Sequence, residues 1–348
     1  ILAYLIGAAA INHERSQLLS LLYSAFFIIS FIIYVPFMSQ SLDLKDYRRL
    51  LKTVFLIYLI GLLIGQYYVY TNNFAPLPNQ SGYLIHGSWG ALTEFGSFRY
   101  YSFSSEPSYA AFVVIVLYYS YITLDGRKGS LFQGENLYLF IILVYMIWSF
   151  KSSYGILLLS LIIVSYFGLT KTSVLMYLFS ISAVVIYLMI GNESGPVKRV
   201  IDIIQKIDFG NIHNLSNIDF SVYFRIAPLL HYIRIFDFAD AGFYIGHGAA
   251  ASRKFIVPET YLAYEGDYLG GFIPAFFYDY GIIGTSLILA FIKKLLPGIF
   301  SIPTAIIALV LFNANINTQL FWLILTCLAL NKYFQLELKH ENRALERA

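Results

Sequence analysis

The sequence predicts an all-α protein that crosses a membrane many times, and three observations carry this prediction. Of the 348 residues, 58% are hydrophobic and only 12% are charged, about half the charged fraction of an ordinary soluble domain. Residues 16–42, 53–93 and 295–331 contain no Asp, Glu, Lys or Arg. Aromatic residues reach 18% of the chain and could form the belts that anchor helices at a membrane surface. These properties exclude a soluble globular protein.

About ten apolar runs approach the length of roughly 20 residues that a membrane helix needs. They lie near residues 1–11, 18–38, 51–70, 108–124, 137–150, 155–169, 173–190, 270–292, 299–312 and 319–331. We therefore expect residues 1–348 to form a single integral membrane domain.

The positions of Lys and Arg predict how these spans are oriented, because positively charged short loops stay in the cytoplasm. The opposite short loops contain only Arg15 and Lys151. The predicted inner side contains Lys45, Arg48, Arg49, Lys52, Arg127, Lys128, Lys171, Lys293, Lys294, Lys332, Lys339, Arg343 and Arg347. The tail, 331–348, is then cytoplasmic, and two long segments, 71–107 and 191–269, lie outside.

Both outer segments are large, and the second contains two candidate amphipathic helices. Residues 197–207 place Val200, Ile201, Ile204 and Ile207 on one helical face, which favours a helix lying on the membrane surface. A second helix over about 220–238 contains Pro228, which indicates either a later start or a kink.

The sequence lacks the signals of several classes of binding site. The net charge is +3 and no dense basic run occurs, which argues against a nucleic-acid partner. Cys327 is the single cysteine, so no internal disulfide can form. No Cys/His spacing indicates a metal site. The sequence therefore predicts no metal and no cofactor.

The first outer segment ends in a candidate phosphate site around Arg99 and Glu106. Pro107 suits the first turn of a helix, and Glu106 could cap it. Glu106 is therefore either a cap or a catalytic carboxylate. Arg99 would lie at a membrane boundary beside a helix N-terminus, where a guanidinium can bind a diphosphate; the alternative is an arginine facing lipid phosphate.

The second outer segment offers Arg225, Arg234 and His247. Arg225 and Arg234 are nine residues apart, so they lie on opposite faces of a straight helix. They could face one pocket only if the helix breaks. His247 lies between two glycines, where it is either a loop histidine with backbone partners or a base that takes a proton near neutral pH.

Two further ionisable residues lie in or beside apolar spans. Asp279 interrupts a charge-free run, and a carboxylate within a membrane span is a functional candidate by default. The alternative for Asp279 is a pair with a Tyr or an Arg. Lys151 opens a tight outer turn and either reaches the outer cavity or extends to the lipid interface.

The order of these motifs resembles the O-antigen polymerase and O-antigen ligase superfamily, and the resemblance covers most of the chain from about residue 50. The motifs are Arg99 followed by Glu106-Pro107-Ser108, Lys151-Ser-Ser-Tyr-Gly155, Ser221-Val-Tyr-Phe-Arg225, Gly246-His247-Gly248, Asp279-Tyr-Gly-Ile-Ile-Gly284 and Phe321-Trp-Leu-Ile-Leu.

This resemblance implies a GT-C-like, metal-independent glycosyltransferase of the bacterial inner membrane, with its active site facing the periplasm. Donor and acceptor would be undecaprenyl-diphosphate-linked oligosaccharides in membrane lipid, and a protein that regulates chain length would be a further partner. It assigns the two outer-loop arginines to Arg99 and Arg225. The candidate bases are His247 and Glu106. Lys151, Arg234 and Asp279 would bind substrate.

Three alternatives stay open. A ligase would transfer the glycan to lipid A core, but ligases tend to carry a histidine shortly before the Asp279 motif, and Glu265-Gly-Asp-Tyr-Leu-Gly270 occupies that approach. A transporter would show repeated halves with binding groups near the bilayer midplane. A non-catalytic assembly subunit or flippase partner would need no arranged bases or arginines.

Overall fold

The computed structural model describes most of the predicted spans and part of the outer segments. The described residues are 1–12, 18–71, 90–92, 98–100, 102–104, 107–125, 134–167, 229, 232–233, 237–252, 272–298, 301–314 and 318–345. The predicted span 173–190 and the predicted amphipathic helix 197–207 lie outside them. Of the predicted helix 220–238, five residues are described: Leu229, Tyr232 and Ile233 are helical, whereas Asp237 and Phe238 are not.

Helices dominate the described residues, as the composition predicts. They are α1 (Leu2–Ile11), α2 (Leu18–Ser41), α3 (Leu44–Thr71), α4 (Pro107–Thr123), α5 (Gly134–Phe150), α6 (Ser153–Phe167), α7 (Ala241–Ile245), α8 (Phe272–Leu295), α9 (Ile302–Asn313) and α10 (Gln319–Leu345). Helices occupy nine of the ten predicted span positions. The tail differs from the expectation of a span that ends near residue 331, because α10 continues to Leu345.

Three helices are long and apolar enough to cross a membrane, namely Leu18–Ser41, Leu44–Thr71 and Ala275–Leu295 within α8. Their most apolar stretches are 22%, 28% and 56% buried, respectively. Large apolar side chains of α2 and α3 are therefore exposed, whereas α8 is mostly internal. Shorter apolar helices of 10–17 residues accompany them. This is the composition of a helical membrane protein.

The first outer segment contains a feature that an all-α prediction omits. Strand β1 (Gly90–Leu92) pairs antiparallel with β2 (Phe98–Tyr100), and Ala91 lies opposite Arg99. The five intervening residues include Gly96, and a loop of this length with a glycine is typical of a hairpin. Phe98 and Tyr100 favour extended backbone.

The chain divides into two compact units. The first contains Ile1–Met38 and Asp202–Lys332, and the second contains Ser39–Ile201 and Tyr333–Ala348. In the first, α8 packs against α1, α7 and α9, and Phe31 of α2 contacts Phe291 and Trp322. Lys332 donates to the carbonyl oxygens of Lys294 and Leu296 at 2.8 and 3.3 Å, a cation at the end of α8 where the helix dipole favours one.

The second unit is built around α4. This helix is buried over most of its length and packs against α3, α5 and α6, as expected of a helix that is apolar on every face. The turn before α4 lies on α3, where Ser102 donates to the carbonyl oxygen of Tyr58 at 2.7 Å. A Cβ on Gly61 would lie 2.4 Å from the Phe103 ring, so the close approach needs glycine at this position.

Candidate functional site

The first unit contains a compact loop that presents His247. Asp240 begins α7, and its side chain accepts a hydrogen bond from the main-chain N–H of Gly242 at 3.0 Å, an N-cap interaction. After α7 the chain turns at Gly246 and packs on α8. There the N–H groups of His247 and Gly248 donate to the carbonyl oxygens of Tyr278 and Asp279, each at 3.0 Å.

The Asp279 carboxylate holds the far end of this loop. It is 2% exposed and accepts hydrogen bonds from the N–H groups of Ala250 at 3.0 Å and Ser252 at 2.7 Å. Ala250 has a φ of +59°, a left-handed conformation that is costly for a residue with a side chain. Two charge-assisted hydrogen bonds from the main chain thus stabilise a strained loop. The alternative of a pair between Asp279 and a Tyr or an Arg stays a prediction.

Two glycines allow the loop and helix backbones to touch. Gly246 has a φ of +86°, and a Cβ there would lie 2.2 Å from the carbonyl oxygen of Asp279. Gly281, within α8, has a φ of +63°, and a Cβ there would lie 2.4 Å from the carbonyl oxygen of Tyr244. Since the left-handed region suits glycine, both positions exclude larger residues for two independent reasons.

The imidazole of His247 is held on three sides. Its Nε2 lies 3.0 Å from Oδ2 of Asp240, and the side chain is only 17% exposed. The ring stacks on Tyr278, with centroids 4.1 Å apart and planes 23° apart. On the α7 side, a Cβ on Gly242 would lie 2.1 Å from Cε1 of the ring. The ring therefore has one orientation relative to the carboxylate that begins α7.

Aromatic residues pack around Tyr278, the residue on which His247 stacks. The Tyr232 ring makes edge contacts with Phe277 and Tyr278, with centroids 5.7 and 5.9 Å away. Burial, followed by the charges of Tyr278 and Asp240, raises the pKa of the Tyr232 hydroxyl. Tyr232 is thus neutral around pH 7.

Helix α1 clamps the same loop. The Tyr4 hydroxyl donates to the carbonyl oxygens of Tyr280 and Ile245, at 2.9 and 3.2 Å. The Asn12 amide donates to the carbonyl oxygen of Gly246 at 3.2 Å. These contacts join parts of the chain more than 200 residues apart, so the position of His247 depends on α1, α7 and α8 together.

Two of the predicted site residues lie in the described part of the second unit. Arg99 lies in β2, where it pairs with Ala91. Lys151 lies in the tight turn between α5 and α6 that the sequence predicts; its φ is +49°, and its N–H donates to the carbonyl oxygens of Ile147 and Trp148. Pro107 begins α4, as expected of proline in a first helical turn.

The predicted residues Glu106, Arg225 and Arg234 lie outside the described residues. Of the predicted site residues that are described, the structure brings two together, because the loop that contains His247 packs against Asp279. In the part of the chain that the structure describes, no group of three His, Cys, Asp or Glu side chains could hold a metal ion.

The sequence did not point to Asp240, Gly242 or Tyr278. It also gave no sign of the hydrogen bonds that Tyr4 and Asn12 donate to the loop. The sequence contains one signal for the first two, because Asp240-Ala-Gly242 before a short apolar stretch is typical of a helix N-cap. The stacking of His247 on Tyr278 has no local signal, since 31 positions separate these residues.

The chain matches no protein-family model, no curated protein and no solved structure.

Proposed function

We propose that this protein is a membrane glycosyltransferase that polymerises O-antigen or a related surface polysaccharide. It would join oligosaccharide repeat units carried on undecaprenyl diphosphate at the periplasmic face of a bacterial inner membrane. One observation carries the proposal: the His247 imidazole, fixed between Asp240 and Tyr278. A histidine oriented by a carboxylate is the arrangement that a general base requires.

The proposed reaction is an attack by an acceptor hydroxyl on C1 of the donor sugar. The acceptor oxygen forms a bond to C1, and the bond from C1 to the diphosphate oxygen breaks. The hydroxyl proton moves to His247, and the electron pair of the broken bond leaves with the polyprenyl diphosphate. Because Nε2 faces Asp240, Nδ1 is the nitrogen left to accept the proton. Nδ1 is buried, so the acceptor hydroxyl would reach it only after a local movement of the loop, and the carboxylate would then stabilise the imidazolium. Such a base contributes about 10²–10⁴-fold to the rate.

Arginines supply the positive charge for the leaving group. Arg99 and Arg225 would bind the diphosphate, and the two guanidinium groups would stabilise the charge that develops as the bond breaks. Pairing of β2 with β1 supports this role for Arg99, because it places the residue in a paired strand opposite Ala91. Lys151 and Arg234 would contact further oxygens of the substrate. Glu106 is the alternative base.

The apolar helices would surround the polyprenyl chain. α2 and α3 expose many large apolar side chains, which suits contact with lipid. In this proposal all ten predicted spans cross the membrane, including 173–190, with the C-terminus in the cytoplasm. A regulator of chain length would bind from within the same membrane.

A transporter is the second candidate, and one observation favours it. Gly281 takes a left-handed φ within α8, and the carbonyl oxygens of Tyr278, Asp279 and Tyr280 accept hydrogen bonds from outside the helix. Interrupted helices of this kind occur at the binding sites of transporters. A transporter would keep its function in Arg99→Ala, whereas the proposed polymerase would lose it; Asp279→Asn would not separate the two, because it also loosens the loop that contains His247.

Glycan chain length tests the proposal directly. Cells that lack their own polymerase would receive wild type, Arg99→Ala, Arg225→Ala or His247→Ala at matched membrane levels. We expect a ladder of glycan lengths on a gel from wild type alone. Lys339→Gln, a charge change on α10, is the control and should retain the ladder.

Other outcomes would change the conclusion. Transfer of a single glycan block to lipid A core, without lengthening, would identify a ligase. Full ladders from an Arg99→Ala/Arg225→Ala double variant would remove the proposed leaving-group site. No ladder from wild type, with the repeat-unit substrate verified, would end the polymerase proposal.

A further inference from the structure

The second unit contains a cleft of about 580 Å³ between the first turns of α3 and the last turns of α10. This volume is typical of a small-molecule site. The lining residues are Asp43, Leu44, Lys45, Arg48, Arg49, Lys52, Tyr121, Glu135, Phe334, Glu337, Leu338 and Glu341.

The cleft lies where the charge-free stretches of four helices end. Lys52 is the last charged residue before the charge-free part of α3, and Asp125 is the first after that of α4. Glu135 is the last before that of α5, and Lys332 follows the one that leads into α10. A bilayer that covers these apolar stretches places the cleft at the level of its polar headgroups.

Two of the cations in the lining, Arg48 and Lys52, are held in ion pairs. Arg48 lies 2.9 Å from Asp125 and its guanidinium lies over the Tyr121 ring, 4.7 Å from the centroid. Lys52 pairs with Glu135, which also accepts a hydrogen bond from Tyr121 at 2.8 Å. These cations are therefore already neutralised by protein acids.

The rest of the lining presents charges of both signs. Arg49 has only a long contact of 3.6 Å with Asp46. Within the described part of the chain, no hydrogen bond or ion pair engages Lys45, Glu337 or Glu341. Two cations of α3 thus share the cleft with two carboxylates of α10.

The balance of charge identifies the class of ligand. The lining contains four cationic side chains, Lys45, Arg48, Arg49 and Lys52. It also contains four acidic side chains, Asp43, Glu135, Glu337 and Glu341. A simple anion would meet as much repulsion as attraction in such a cleft. A ligand that carries both a negative and a positive group can pair with the cations and the carboxylates of the lining at the same time.

We propose that this cleft binds the headgroup of a zwitterionic phospholipid with a primary ammonium group, such as phosphatidylethanolamine. The phosphate would contact Lys45 and Arg49, and the ammonium would donate hydrogen bonds to Glu337 and Glu341. Leu44 and Leu338 would contact the glycerol. A trimethylammonium group has no N–H donors and prefers aromatic faces, so phosphatidylcholine fits less well.

Lipid retention by the full chain in detergent tests this proposal. Native mass spectrometry would compare phosphatidylethanolamine, phosphatidylcholine and phosphatidylglycerol with identical acyl chains. We expect wild type to retain the first about fivefold more than the second, the effect of a few weak charge contacts. Glu337→Gln/Glu341→Gln should reduce that preference below about twofold. Lys339→Gln, on the same helix but outside the cleft, should keep it.

A second pair of substitutions tests the phosphate contacts separately. Lys45→Gln/Arg49→Gln should lower the retention of both zwitterionic lipids equally. Equal retention of the two by wild type, or a preference for phosphatidylglycerol, would overturn the proposal. A preference that survives Glu337→Gln/Glu341→Gln in monodisperse protein would do so as well. Displacement of the lipid by equimolar soluble glycerophosphoethanolamine would assign the cleft to a soluble ligand instead.

Discussion

His247 and Tyr278 are joined twice. The main-chain N–H of His247 donates to the carbonyl oxygen of Tyr278 at 3.0 Å, and the two rings stack with centroids 4.1 Å apart. The first contact places the loop on α8, and the second sets the plane of the imidazole. With Asp240 at Nε2, little rotational freedom is left to the ring, and four predictions follow from this arrangement and from the ion pairs of the second unit.

In the proposed polymerase, Asp240→Asn should reduce the rate of polymerisation by about 10²-fold while the protein stays folded. Asn retains an oxygen that can cap α7, but its amide N–H₂ would face Nε2 and favour the imidazole tautomer with a proton on Nδ1. That tautomer cannot accept a proton at Nδ1, so a general base is lost. The rate would be measured with purified protein and lipid-linked repeat units. Asp237→Asn, three residues earlier and exposed, is the control, and equal rates for both variants would exclude Asp240 from the mechanism.

Gly242→Ala should separate activity from stability. The new Cβ would lie 2.1 Å from the imidazole, so the ring must move away from Asp240. Alanine also favours a helix over glycine by about 1 kcal/mol, which offsets part of the strain. We expect little change in the thermal midpoint and a large loss of activity. Ala241→Ser, on the same helix, should be neutral, and an active Gly242→Ala protein would show that the ring position is unimportant.

Asp279→Asn should destabilise the first unit. One carboxylate oxygen becomes an N–H₂ group, which cannot accept the hydrogen bond from Ala250 or Ser252. A buried donor left without its acceptor costs about 1–3 kcal/mol. Thermal unfolding in detergent would measure the loss. The exposed control Asp46→Asn should have almost no effect, because water replaces the lost contact. A similar midpoint for wild type and Asp279→Asn would mean that the loop is held by other contacts.

Acid should weaken the second unit through Glu135. Hydrogen bonds from Lys52 and then Tyr121 hold the pKa of this carboxyl below its ordinary value of 4.5. A lowered pKa in the folded state contributes stability above the unfolded pKa, and this contribution is lost as the pH falls through the folded pKa. Between pH 7 and about pH 3.5, the thermal midpoint of wild type should therefore fall more than that of Glu135→Gln. Parallel curves for the two proteins would show that the pair with Lys52 contributes nothing.

Much of the architecture was predictable from the sequence alone. The bounds of α2, α4 and α6 follow the boundaries between apolar and charged residues, whereas α3 begins at Leu44, inside a charged stretch. Pro107 and Lys151 mark a helix start and a turn where the structure has them. Such features are local, because the length of an apolar run and the restricted φ of proline act on neighbouring residues. The hairpin at Arg99 was not predicted, because strands of only three residues show almost no periodicity in the sequence.

The candidate site depended on the tertiary structure. The sequence identifies His247 and Asp279 as unusual residues, one between glycines and one in an apolar helix. It does not show that Asp240 faces the imidazole, that Tyr4 clamps the loop, or that Asp279 binds the N–H groups of Ala250 and Ser252. Those partners lie between 7 and 276 positions apart along the chain. Hydropathy acts residue by residue, whereas hydrogen bonds need a donor and an acceptor within about 3 Å, and only the packing of α1 and α7 against α8 brings them that close.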